Sequence, residues 1–273
     1  MQKPYTHICS QVAEFNYLFG VIDYNYPNIE YIEEDKFNSF SDKFNLTQIK
    51  LRFSLINEEV KELEQAVNNK NPIEIIDALC DILYVVAGAK VYFNLPVDVF
   101  TECKINDLYD SVGEPSVDEQ DLKNIINGLN EDKIKILIKK IKENNEVLEN
   151  LTKILINENR IFYHIKFLNH LIRIYNKSLD KIVVNIFKLT SYENLDFNMI
   201  HQFDIVHNSN MTKVCITEND AKKTVEWYKV NEQRYKEPSY RKINYNDKDY
   251  YVIYDAETKK ILKSVKYTPA KFI

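Results

Sequence analysis

From Ile73 to Phe93 the chain reads IEIIDALCDILYVVAGAKVYF, apolar nearly all the way round. Such a run is the mark of a helix buried on most of its faces. Two aspartates, Asp77 and Asp81, interrupt it at i, i+4 spacing, which stacks their side chains on one face. The run therefore predicts a helix that enters the protein interior and takes two carboxylates with it. An ionised carboxylate buried without a partner is so costly that it binds a proton or pairs with a cation. Repulsion between the two sharpens that demand.

A second acidic group precedes the first. Glu58, Glu59 and Glu62 form a Glu-Glu-x-x-Glu that falls within one helical arc, shared with Leu51, Leu55 and Ala66. Asn68-Asn69-Lys70 breaks this helix, and Asn71-Pro72-Ile73-Glu74 starts the next with an N-cap Asn, Pro at the first helical position and Glu three residues after the cap. Two helices over about 47–68 and 72–93, joined by so short a loop, pack antiparallel. The acids of both then converge near one level of a bundle. A Glu-x-x-Glu alone is usually a solvated face, but aspartates within an apolar run are not explained that way. Carboxylate oxygens favour Mg²⁺ or Mn²⁺ over zinc, and Mg²⁺ held by a few carboxylates completes its shell with waters and substrate phosphates. A phosphate-bearing substrate is the natural inference.

LINEEVKELEQAV followed by IEIIDALCDILYVVAGAKVYFNLP resembles the MazG-like all-α nucleoside triphosphate pyrophosphatase superfamily, in particular its phosphoribosyl-ATP pyrophosphohydrolase-like branch of phages and large viruses. Val12-Ala13-Glu14-Phe15 and Phe19-Gly20 are similar to that branch's opening helix; HQFDIVHNSNMTKV and KKILKSVKYTP are similar to its C-terminal segments. The likeness covers residues about 8–23, 50–100 and 199–273 in order, which is more specific than any single motif.

The resemblance implies a mainly α, MazG-like helical bundle that hydrolyses nucleoside triphosphates between the α- and β-phosphates with Mg²⁺ or Mn²⁺, as a homodimer or tetramer. It implies Glu59, Glu62 and Asp81 as metal ligands and Glu58 as a catalytic base beside the attacking water. Many members place a fourth ligand three residues before the final Asp; that position is Ala78 here, and the acid is Asp77, one residue earlier. The matching C-terminal segments offer Lys213, Lys259 and Lys263 as cations for the outer phosphates and Asn210 as a polar contact. Tyr84, three residues after Asp81, is placed to stack on a base, although an aromatic at helical spacing is more often core.

The likeness leaves about 113–196 as a helical insertion, between an N-terminal part of the core (1–112) and a C-terminal segment (197–273) that completes the site. In the insertion, Ile134, Leu137, Ile138 and Ile141, then Leu148, Leu151, Ile154 and Leu155, follow helical spacing, and Ile161–Ile186 adds another amphipathic pattern. Whether these helices cover the site, build an oligomer interface or bind a partner is open at this level. Elsewhere the pattern predicts a helix near Thr6–Phe19, an irregular acidic stretch Asp23–Asn45 and a helix Val97–Ser111. Thr217-Glu218-Asn219-Asp220 predicts a capped helix to about Asn231, and Tyr250–Tyr254 with Lys260–Lys263 a small β-hairpin.

With 273 residues, 45% of them hydrophobic, the chain can bury a substantial core in one or two domains, and 4 Gly and 7 Pro argue against a loop-rich β protein. A net charge of -5 argues against bulk nucleic-acid binding, although the tail from Ile205 onward holds roughly fourteen basic against about nine acidic residues and can steer anions. Cys9, Cys80, Cys103 and Cys215 lack metal-type spacing and read as reduced intracellular thiols. No signal peptide is evident, and the apolar stretch Ile82–Ala89 is too short to cross a bilayer, so a soluble cytoplasmic protein is expected. None of His7, His164, His170, His201 and His207 stands three residues after a Glu, which disfavours a ferritin-like di-iron bundle on the same carboxylates. A non-catalytic nucleotide-sensing or helical interaction protein, and a hydrolase of a signalling nucleotide, are compatible with the same pattern.

Overall fold

The acidic helix begins where its cap requires. In the computed structural model Asn71 is extended and its side chain accepts from the Glu74 N–H at 3.4 Å, with Pro72 opening the helix. The structure describes residues 4–22, 46–97, 101, 104–105, 131–157, 165–191, 199–258 and 260–272. The Asp23–Asn45 stretch, most of the Val97–Ser111 helix and Lys259 lie outside them. The elements are α1 (Pro4–Leu18), α2 (Leu46–Asn68), α3 (Pro72–Tyr92), α4 (Glu131–Asn157), α5 (Ile165–Ser191), α6 (Met199–Met211), α7 (Glu218–Asn231), β1 (Pro238–Tyr245) and β2 (Lys248–Asp255). The chain is mainly α with one small antiparallel sheet, as expected. None of the described helices is long and apolar enough to cross a membrane.

Two units are distinguished, Met1–Val12 with Pro27–Phe203 and Phe272–Ile273, and Ala13–Tyr26 with Asp204–Lys271. In the first, α2 packs on α3, and the pair α4 and α5 lies alongside, α4 against α2 and α5 against α3. Its core is the apolar face of α3, with Leu79, Ile82, Leu83, Val86, Ala87 and Val91 all buried. Each leucine, isoleucine or valine side chain among them contributes roughly 1.5–3 kcal/mol by leaving water. The α2–α4 seam is polar: Lys142 pairs with Glu64 at 2.5 Å, and the Asn145 amide donates to Asn57 at 3.1 Å. Asn57 and Glu64 stand seven residues apart, so α4 takes the α2 face opposite the arc of Glu58 and Glu62. That acidic arc is left exposed.

The α3–α5 seam carries a buried ion pair. Lys90, 1% exposed, donates to Asp180, 4% exposed, and to the Pro96 carbonyl at 2.9 Å. The Asn176 amide donates to the same carbonyl at 3.2 Å, and Phe93 meets Tyr175 edge-on at 6.0 Å. A second buried cation, Arg52 on α2, lies 4.6 Å over the Tyr92 ring, and burial lowers its pKa.

In the second unit, Thr217 caps α7 by accepting from the Asp220 N–H at 3.2 Å, as its sequence predicts. The hairpin differs from the expected one. Tyr250–Tyr254 does lie in a strand, β2, but its ladder partner is β1, in register from Pro238↔Asp255 to Tyr245↔Lys248. The turn is Asn246-Asp247, both at positive φ (49° and 58°), the two-residue geometry that matches strand twist and that Asn and Asp tolerate. The Lys260–Lys263 segment gains only the bridge Tyr254↔Ile261. It is turned back by Asp255, whose carboxylate accepts from the Glu237 N–H and from both the N–H and hydroxyl of Thr258. Alternation along β2 sends Val252 to a cluster with Leu18, Phe19 and Val214, and Ile253 to one with Cys215, Ala221, Val225, Tyr228 and Leu262.

Candidate active site

Antiparallel packing of α2 on α3 brings the five acids into one neighbourhood. On α3 the half-buried stripe is Asp77, Asp81, Tyr84 and Val85, while Ile76, Ala78, Leu79, Cys80, Ile82 and Leu83 around it are buried. The aspartates therefore stand at the edge of the apolar interior, and not at its centre as the run alone suggests. On α2, Glu58 and Glu62 are exposed and Glu59 is half-buried.

Glu59 registers the convergence. Burial, then the charges of Asp81, Glu62, Glu58 and Asp77 in that order, push its carboxyl up to about 8. The same environment acts on Cys80, whose thiol is raised by burial first and by Asp81 and Asp77 next. A thiol so raised is a packing group. Among the described residues no three acids, histidines or cysteines stand at the mutual distances of a closed metal site. The arrangement is an electrostatic cluster of carboxylates around one that burial, first, and its acidic neighbours, next, push up to about 8. An oxygen-only donor set of that kind fits a hard divalent cation.

The raised carboxyl has a consequence for stability. Between the ordinary glutamate range and about 8, the folded chain holds a proton on Glu59 that the unfolded chain has released, so this group's contribution weakens as pH rises through that window. In metal-free buffer the thermal midpoint is expected to fall from about pH 5 to about pH 8, with a shallower fall in Glu59→Gln. Calorimetry at a series of pH values checks this; equal slopes for both proteins would contradict it.

Tyr84 stacks on Phe203 with centroids 5.4 Å apart and planes at 24°, so one face of its ring is engaged in packing. The C-terminal candidates belong to the second unit. Asn210 is buried on α6; Lys213 is half-buried with its ammonium 5.8 Å from the Phe15 ring centroid; Lys263 is exposed, its ammonium 4.4 Å from the centroid of Tyr267.

Two arrangements escape motif reading. One is the Lys90–Asp180 pair, whose signal is a single cation inside the most apolar run of the chain. The other is Glu14 of α1, which accepts from the Tyr245 hydroxyl at 3.1 Å and lies 3.7 Å from His207 Nε2. His207 holds the Glu14 carboxyl below the usual range; burial opposes this and Tyr245 adds to it. Sequence gives only the two motifs that contain Glu14 and His207, not their meeting with each other and with Tyr245.

Comparison with known proteins places the acids in a wider context. A family model for phosphoribosyl-ATP pyrophosphohydrolase matches residues 29–104, the segment that holds all five. An uncharacterized protein of Acanthamoeba polyphaga mimivirus is 32% identical over 263 residues, 93% of this chain and 89% of the viral protein. No solved structure matches.

Proposed function

Because this chain belongs to the phosphoribosyl-ATP pyrophosphohydrolase family of the MazG-like superfamily, in its viral branch, we propose that it is a Mg²⁺- or Mn²⁺-dependent nucleoside triphosphate pyrophosphohydrolase. The family points to nucleotide pyrophosphohydrolase activity in general. The finer reading is cleavage between the α- and β-phosphates, giving a monophosphate and pyrophosphate.

The observation that carries it is the raised carboxyl of Glu59, four other acids around it. In this reading Glu59, Glu62 and Asp81 hold the divalent cation, with Asp77 at its edge. A bound divalent ion supplies positive charge that neutralises the phosphates and makes phosphorus a better electrophile. The chain itself has three tasks. The rigid α2–α3 packing fixes the spacing between the Glu59–Glu62 pair and Asp81, so little rearrangement is needed as charge develops. Glu58, exposed beside them, accepts through a carboxylate oxygen the proton that the attacking water loses as the anhydride bond breaks. The buried apolar face of α3 keeps one side of the cluster dry, which strengthens each interaction on the other.

A panel of ribo- and deoxyribonucleoside triphosphates with Mg²⁺, resolved by chromatography, tests this. Equal amounts of monophosphate and pyrophosphate are expected. Inorganic phosphate with diphosphate would move the cleavage point and discard the reaction. Binding of nucleotide without turnover would favour a nucleotide sensor on the same fold.

A further inference from the structure

Within the second unit lies a cleft of about 570 Å³, a size typical of small-molecule sites. Its apolar wall is Leu18, Met211 and Val214, and the hairpin contributes the rings of Tyr245 and Tyr250, centroids 6.5 Å apart and planes at 59°. A wall of rings tilted in this way takes a flat aromatic ligand face-on against one ring and edge-on against the other.

Two carboxylates line the same cleft in different chemical states. Asp220 is neutralised by the Lys266 ammonium at 2.7 Å. Glu14 has the neutral Tyr245 hydroxyl on one oxygen and His207 near the other, and among the described residues no lysine or arginine pairs with it. A carboxylate offers about four acceptor sites, so with those two contacts each oxygen keeps one. Its side chain is 41% exposed, which leaves that capacity open to the cleft. The ligand that complements it is planar, apolar on its faces and equipped with two adjacent N–H donors on one edge. Among nucleobases, guanine alone presents that pair, N1–H beside the N2 amino group. Uracil and thymine instead flank a single N–H with two carbonyls, which a carboxylate repels.

We propose that this cleft is a guanine-binding site in which Glu14 accepts from the base edge and Tyr245 and Tyr250 flank its face. The choice of a nucleobase rests on the nucleotide reading above; the recognition itself does not need phosphate or metal.

The test is calorimetric titration of the full chain with guanosine, inosine and uridine in buffer without divalent ions. Guanosine is expected to bind at least about tenfold more tightly than inosine, which lacks the N2 amino group, as one arm of a bidentate base contact is lost. Uridine should bind more weakly still. Glu14→Gln is expected to abolish the preference for guanosine over inosine. Tyr250→Leu, with circular dichroism confirming the fold, should weaken both nucleosides alike and keep the preference. Binding of none of the three, equal binding of guanosine and uridine, or a preference that survives Glu14→Gln would overturn the site. The two readings fail separately. Turnover without guanine discrimination sinks only this one, and guanosine binding without turnover sinks only the pyrophosphohydrolase.

Discussion

Asp81→Asn is expected to reduce pyrophosphate release at least about a hundredfold, the scale on which removal of one preorganised electrostatic group acts. Asp77→Asn should cost markedly less. The order follows from Glu59. Burial is the largest reason for its raised carboxyl, but among its neighbours Asp81 comes first and Asp77 last. The substitution Asp81→Asn therefore removes the strongest anionic neighbour and should let the Glu59 carboxyl drop from about 8 toward the ordinary range, the burial contribution remaining. Two independent measurements check this. Steady-state kinetics over a Mg²⁺ series reads the loss of activity, and carbon-detected NMR titration of the Glu59 carboxyl reads the pKa. Equal losses for Asp77→Asn and Asp81→Asn would make the two aspartates equivalent ligands and end the distinction. An unchanged Glu59 carboxyl in Asp81→Asn would show that the acids do not share one site at all.

How much of this is legible in the sequence depends on the range of the interaction. The cap at Asn71-Pro72, the break at Asn68-Asn69-Lys70 and the cap at Thr217 are local, each decided within four residues, and the helices start where those signals stand. The shared arc of Glu58, Glu59 and Glu62 follows from helical period alone. Periodicity does not say which faces meet. It predicts amphipathic helices in the insertion, but not that α4 takes the Asn57–Glu64 face of α2 and leaves the acidic arc open. The hairpin departs from expectation for a related reason. Asp255-Ala256-Glu257-Thr258 and Asn246-Asp247 are both turn signals, and the choice between them is made by the ladder each can support. In the first unit α2 to α5 supply four packed helices from one chain.

That packing leads to the second large effect. Lys90→Met is expected to destabilise the first unit by about 3–5 kcal/mol, the usual result of removing one partner from a buried ion pair. Lys90 and Asp180 are 1% and 4% exposed, so the carboxylate left behind has little access to water. It would also lose its charge-assisted hydrogen bond from α3, and the Pro96 carbonyl would keep, among the described residues, the Asn176 amide alone. Against a total stability of about 5–15 kcal/mol for an ordinary domain, such a loss leaves little margin. The double substitution Lys90→Met with Asp180→Leu should recover most of it, because a buried ion pair replaced by apolar groups of similar volume is often neutral or better. Urea titrations of the two single variants and the double one form the cycle that isolates the coupling. The pair joins the helix that carries Asp77 and Asp81 to α5. A large coupling energy would therefore mean that α5 holds α3 in place and that deletion of 113–196 unfolds the acidic hairpin. If the two single losses merely add, the insertion is an appendage whose removal leaves the carboxylate cluster intact.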